Sequence, residues 1–188
     1  MTRLAALAAL ALGLSGCIHD KDPWRPIGER YDSGHWFGAN FSMDFPEGWV
    51  RINNLDALVA SRDGWGLQQI KVRELEVGKA LPHTKKMVRK GMTPQELAEV
   101  LVDDVRTDGS AKGLKVLEVR PATLSGQPGF RALLEFRDGD GLRHKAVLAG
   151  LLSGENCWQA VFVAPARHYF DLDLPTFDRA LASFTVRR

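Results

Sequence analysis

Five histidines, two cysteines and one acid-free basic run are the residues of this chain that could do chemistry, and their spacing decides which chemistry is open to them. His19, His35, His83, His144 and His168 are scattered, with no His-Glu-x-x-His and no paired Cys-x-x-Cys to hold a metal. No phosphate-cradling Gly-x-x-x-x-Gly-Lys and no Gly-x-Ser-x-Gly nucleophile turn occurs. Asp138-Gly139-Asp140-Gly141 opens like a calcium loop but runs into Leu142-Arg143-His144-Lys145 without the later acidic ligands, so it reads as a hairpin turn. Between Pro165 and Leu174, His168 stands near Asp171 and Asp173, a set suited to proton transfer, yet nothing beside it supplies a nucleophile or an oxyanion donor. Tyr169 and Phe170 are expected instead to anchor a final helix. The residues therefore predict no catalytic group, no cofactor site and no metal site.

The basic run is the exception. Lys79, His83, Lys85, Lys86, Arg89 and Lys90 fall within twelve residues that contain no acid. Beside a membrane, such a segment could meet lipid phosphates, anionic headgroups or an acidic partner, at up to about 1 kcal/mol per cation. The plainer expectation is a solvated loop leading into a helix whose acids Glu96, Glu99, Asp103 and Asp104 balance it. Lys79, Lys85, Lys86, Arg89 and Lys90 stand as the candidate binding surface.

The two cysteines carry different messages. Cys157 lies in the apolar run Cys157 to Val163, where a buried, inert thiol is expected. Cys17 ends a leader in which Arg3 supplies the positive charge and Leu4 to Leu14 is an unbroken Leu/Ala/Gly run. At about 1.5 Å per residue that run falls far short of the roughly 20 residues of a spanning helix, so it reads as a secretion signal. Its end, Leu14-Ser15-Gly16-Cys17, resembles the lipobox of bacterial lipoproteins. The resemblance implies cleavage before Cys17 and acylation of its sulfur and new amino terminus. Each buried methylene contributes about 0.8 kcal/mol, and a second chain turns marginal binding into stable anchoring. In the sorting pattern of such proteins an aspartate after the cysteine retains them in the inner membrane; Ile18 stands there, which favours the outer membrane, facing the periplasm.

Removing residues 1–16 takes away one basic residue and no acidic one, leaving Lys and Arg nearly equal to Asp and Glu. That balance gives no drive toward nucleic acid. The expected organisation is a signal over 1–16, a lipidated cysteine and flexible tether over 17–38, and one globular domain over 39–188. Trp24, Tyr31 and Trp36 of the tether are candidates for the lipid interface or for packing on the domain.

Phe41, Met43 and Phe45 alternate with polar residues as a strand, Pro46-Glu47-Gly48 turns it, and Trp49 to Ile52 returns as its neighbour. Ala57 to Ser61 and Leu67 to Leu75 flank Asp63-Gly64 as a hairpin. Thr93-Pro94-Gln95-Glu96 is a capping box that starts a helix with the stripe Leu97, Val100, Leu101 and Val105, ending at Asp108-Gly109. Leu114 to Leu124, Phe130 to Arg137, Leu142 to Leu152 and Cys157 to Ala164 follow as a meander, and Leu174, Phe177, Leu181 and Phe184 mark a closing helix begun near Pro175. Strands, helix, strands, helix predict an α+β fold, an antiparallel sheet with helices packed on it.

Four segments in this order, Phe41 to Trp49, Thr93 to Leu101, Gly126 to Phe136 and Leu174 to Phe184, together resemble the PsbP-like superfamily and, within it, the DcrB-like bacterial lipoproteins. The resemblance implies an antiparallel sheet packed between helices, an α/β/α sandwich, and binding or assembly rather than catalysis; it transfers no site residue. The leading expectation is a lipid-anchored, non-enzymatic periplasmic module that holds an envelope protein. A carrier with a lipid or small molecule in a cleft between sheet and helix ranks second, and a hydrolase-type enzyme third.

Overall fold

The computed structural model describes residues 24–34, 40–53, 57–64 and 66–187. Its strands are β1 (Arg25–Pro26), β2 (Arg30–Asp32), β3 (Phe41–Asp44), β4 (Val50–Asn53), β5 (Ala57–Ser61), β6 (Gln69–Glu76), β7 (Lys112–Leu124), β8 (Gln127–Arg137), β9 (Arg143–Ser153), β10 (Asn156–Pro165) and β11 (Thr185–Val186). The helices are α1 (Pro94–Thr107) and α2 (Tyr169–Ser183). Eight strands form one sheet in the order β1-β4-β5-β6-β10-β9-β8-β7, and β11-β3-β2 form a second, small one. Every pairing is antiparallel.

Side chains alternate across a strand, so one strand feeds two cores. From β9, Ala146 and Leu148 join Leu97, Ala98, Leu101 and Val102 of α1. Val147, Ala149 and Leu151 join Phe170, Phe177, Ala180 and Leu181 of α2. Cys157 of β10 faces the first set, Trp158, Ala160 and Phe162 the second. The fold is thus α+β, with α1 and α2 packed against residues of opposite parity. Phe162 stacks between Phe170 and Phe177 at centroid distances of 5.4 and 5.5 Å. Gly150 lets α1 come close, because a Cβ there would lie 2.7 Å from a ring carbon of Phe130 and 3.2 Å from Leu101.

Three expectations are corrected. Residues 24–34 do not belong to a tether: Arg25 and Pro26 pair with Arg51 and Val50, Arg30 to Asp32 pair with β3, and Ile27 and Tyr31 are buried. Enough apolar surface is covered there to order a segment that shows no period. The leader, Cys17 and Trp36 lie outside the described residues. Next, β3 and β4 do not pair with each other, since the turn at Pro46 to Gly48 carries the chain from the small sheet into the large one. Finally, α2 begins at Tyr169, and Pro175 sits inside it. The carbonyl that loses its partner there belongs to exposed Asp171, where water can replace the missing N–H.

Candidate functional site: a groove between helix α1 and edge strand β7

The capping box fixes where α1 starts. Thr93 Oγ1 accepts from the Glu96 N–H at 3.3 Å, and Glu96 accepts from the Thr93 N–H at 2.7 Å, a bond that holds its carboxyl below the ordinary glutamate range. The helix buries one stripe on β8 and β9 and leaves its outer flank standing over β7, the last strand of the sheet. Between flank and strand runs a groove of about 710 Å³. Its apolar lining comes from Ala98 and Val102 of α1, Val116, Val119 and Pro121 of β7, and Phe130 of β8. Its charged rim is Lys86, Glu99, Asp103, Arg106 and Arg120. A volume of this size with an apolar floor and a few charged groups suits a ligand segment or a small molecule.

Two consecutive acids of α1 position the rim. Asp104 is buried, and its Oδ1 accepts from the N–H groups of His83 and Thr84, each at 3.0 Å, and from Thr84 Oγ1 at 3.3 Å. Asp103 accepts from Lys86 Nζ at 2.7 Å, and this bond holds the Asp103 carboxyl below the ordinary aspartate range. The basic segment is the loop leading into α1 that its composition predicts, with Lys79, Lys85, Lys86, Arg89 and Lys90 exposed and Asp103 balancing Lys86, but it is pinned in place. Gly78 donates to the Val88 carbonyl at 2.9 Å and Leu81 to the Lys86 carbonyl at 2.7 Å, while Leu81 and Val88 are buried.

The five cations proposed as one surface are distributed. Lys79 pairs with Glu76, Lys90 with Glu155, and Lys86 with Asp103. Lys85 Nζ donates to the Pro82 carbonyl, and Arg89 is exposed. Only Lys86 of the five reaches the groove.

Elsewhere the structure uses polar groups to lock elements together. Asp173 is buried in α2, 2.9 Å from Arg62 Nη1, and accepts from Gln68 Nε2 at 3.2 Å. Asp63 accepts from the same two side chains at 2.7 Å each, and the Arg62 bond, followed by that of Gln68, holds its carboxyl low. This polar knot ties the β5–β6 turn to α2, while the His168 ring rests edge-on against Tyr169 at 5.0 Å. Asp138 accepts from the Asp140 and Leu142 N–H groups and lies 2.9 Å from His144 Nε2, the ring contact being the main cause of its lowered pKa. The Asp-Gly-Asp-Gly segment is thus a hairpin turn. Cys157 is fully buried, and burial pushes its thiol up to about 12. Among the described residues no three His, Cys, Asp or Glu side chains converge as a metal-ligand set, and no helix is long and apolar enough to cross a membrane.

No protein-family model matches the sequence. No curated protein matches it. Solved structures do resemble it. A protein of Bacteroides thetaiotaomicron VPI-5482 gives a TM-score of 0.53 at 16% identity over 86% of this chain and 49% of that one, so this chain spans about half its length. Cyanobacterial PsbP from Synechocystis sp. PCC 6803 gives 0.58 at 14% identity over 93% of this chain and 99% of that one. LpqN of Mycobacterium tuberculosis, a protein involved in cell envelope biogenesis, gives 0.54 at 10% identity over 88% and 91%. At these identities the likeness is one of fold: this chain folds as PsbP and LpqN do.

Proposed function

We propose that this protein is a lipid-anchored, non-enzymatic binding or assembly module of the bacterial envelope, held at Cys17 to the periplasmic face of the outer membrane, and that the groove between α1 and β7 receives a segment of an envelope protein. The groove is the observation that carries the reading: an apolar floor beside a charged rim, built on a rigid helix and a sheet. The apolar leader ending on Leu14-Ser15-Gly16-Cys17 supports the anchor, and the fold shared with LpqN is in keeping with an envelope setting. In a PsbP-like three-layer arrangement both helices would keep an outer surface for partners, and the groove beside α1 offers one such place. In-cell photo-crosslinking tests the assignment. A photoreactive residue at Glu99, on the groove wall, is expected to capture a discrete protein, while one at Arg179 on exposed α2 is not; equal yields from both positions contradict it.

The volume of about 710 Å³ also favours a second reading, a carrier holding an amphiphile with its chain on the apolar floor. Mass spectrometry of gently purified protein separates the two, since a carrier retains a ligand of defined mass and an adaptor retains none.

A further inference from the structure

We propose that a second copy of this chain pairs with the outer edge of β7 about a two-fold axis through Val119, giving a dimer whose two grooves join into one trough. The inference goes beyond the functional reading above and stands whether or not the groove holds a protein segment.

Strand β7 is thirteen residues long and ends the large sheet; among the described residues no strand pairs with its outer side. Three of the six exposed large apolar side chains of the described residues lie on it: Val116 at 38%, Leu117 at 48% and Val119 at 46%. An unpaired edge of this length invites another strand, and a symmetric pairing needs the same surface on both copies.

Symmetry and charge then select one register. In an antiparallel pair, opposed residues alternate between hydrogen-bonded and non-hydrogen-bonded sites, so a two-fold axis perpendicular to the sheet must pass where a residue faces itself. Centres at Lys115, Glu118 or Arg120 set like charges face to face, which is destabilising. A centre at Val116 opposes Lys112 to Arg120; one at Leu117 leaves Glu118 and Arg120 facing Val116 and Leu114; one at Pro121 sets two prolines face to face. A centre at Val119 brings Glu118 of each copy opposite Arg120 of the other, twice. Those two side chains already sit 3.4 Å apart within one copy and are free to exchange partners.

The features that protect this edge from indiscriminate pairing fit the same register. Bulges lie between Lys112 and Lys115 and between Val116 and Glu118. With Val119 at the centre, Pro121, which has no N–H to give, falls opposite Leu117, the residue that the second bulge leaves without a partner on β8. Because the axis is perpendicular to the sheet, both copies of α1 stay on one face. The floor residues Val116, Val119 and Pro121 of one copy then continue into those of the other, and the partner's α1 supplies the second wall.

Oxidative crosslinking of the full-length chain in mild detergent tests this. Val119→Cys places two thiols across the axis at the Cα separations of facing strand residues, about 4.5 to 5.5 Å, within disulfide reach. A disulfide dimer is expected at a yield at least ten-fold above the unsubstituted chain, whose own cysteines serve as the control, and above Leu124→Cys. Glu118→Arg added to Val119→Cys is expected to lower the yield at least ten-fold, and Arg120→Glu added to both to restore it. A Val119→Cys yield no higher than either control, or one that the charge reversal leaves unchanged, overturns the proposal. Groove capture from Glu99 is read separately, so failure of one idea does not mimic failure of the other.

Discussion

Asp103 and Asp104 are neighbours on α1 and act in opposite settings. Asp104 is buried and satisfies two backbone N–H groups of the 83–84 turn, so Asp104→Ala should cost about 2 kcal/mol, read as a lowered midpoint in urea, because those donors lose a charged acceptor. Asp103 is at the surface and its carboxyl is held below the ordinary value of 3.8 by Lys86. A carboxyl whose folded pKa is depressed contributes stability above its unfolded value, and that contribution is lost as pH falls through the lower, folded one. Melting temperature should therefore drop more steeply below pH 4 in the parent than in Asp103→Asn, measured by circular dichroism across pH 2 to 7. Asp173 differs again, being a buried charge. Asp173→Ala should cost about 2 kcal/mol in the same denaturation assay because α2 loses its tie to Arg62 and Gln68, which keep only their bonds to Asp63. The anchor proposed at Cys17 rests on its neighbours alone, an apolar run that ends on a cysteine; intact-mass analysis should find its sulfur carrying diacylglycerol, and a bare thiol would remove the anchor from the proposal. Asp104 and Asp173 read only as two more acids, because what makes them structural is a turn about twenty residues away and an arginine over a hundred residues away.

Elements whose signals are local were legible. The start of α1 is a reciprocal pair of bonds across three residues, so Thr93-Pro94-Gln95-Glu96 states it outright. Thr93→Ala should lower stability by about 1 kcal/mol, checked by chemical denaturation. The β7 to β10 meander was legible for the same reason, each turn being written in Gly, Pro, Asn or Asp between alternating runs. What alternation cannot tell is which sheet a strand joins: Phe41 to Asp44 and Val50 to Asn53 each read as a strand with a turn between, yet they part into two sheets. Pro175 misled the start of α2 because the energy that lengthens that helix comes from Phe170 and Asp173 meeting β10 and the β5–β6 turn, contacts distant in sequence. Close packing leaves its own test at Gly150. Gly150→Ala drives a methyl into Phe130 and should destabilise by about 2 kcal/mol, seen as a lower melting temperature, although alanine is otherwise the better residue in a strand.

At the scale of the molecule, the fold class follows from the order of elements, and the likeness to PsbP and LpqN bears that out. The groove does not follow from any stretch. It exists because α1 crosses β8 and β9 and stops short of covering the edge strand, which leaves Val116 and Val119 open beside a charged helix flank. In sequence those valines stand three residues apart, a spacing that a regular strand would put on opposite faces, and the bulge between Val116 and Glu118 brings them to one. The basic run, prominent in the sequence, turns out to be mostly paired with nearby acids, and only Lys86 contributes to the groove. Binding at this place is the central claim, and covalent capture in living cells is its most direct measurement. A photoreactive residue at Glu99 should give one discrete adduct that disappears when Gln95→Trp fills the groove from the exposed side of α1, with melting temperature unchanged. An adduct that persists in the Gln95→Trp background, or that forms equally from Arg179, would place the partner elsewhere and contradict the account.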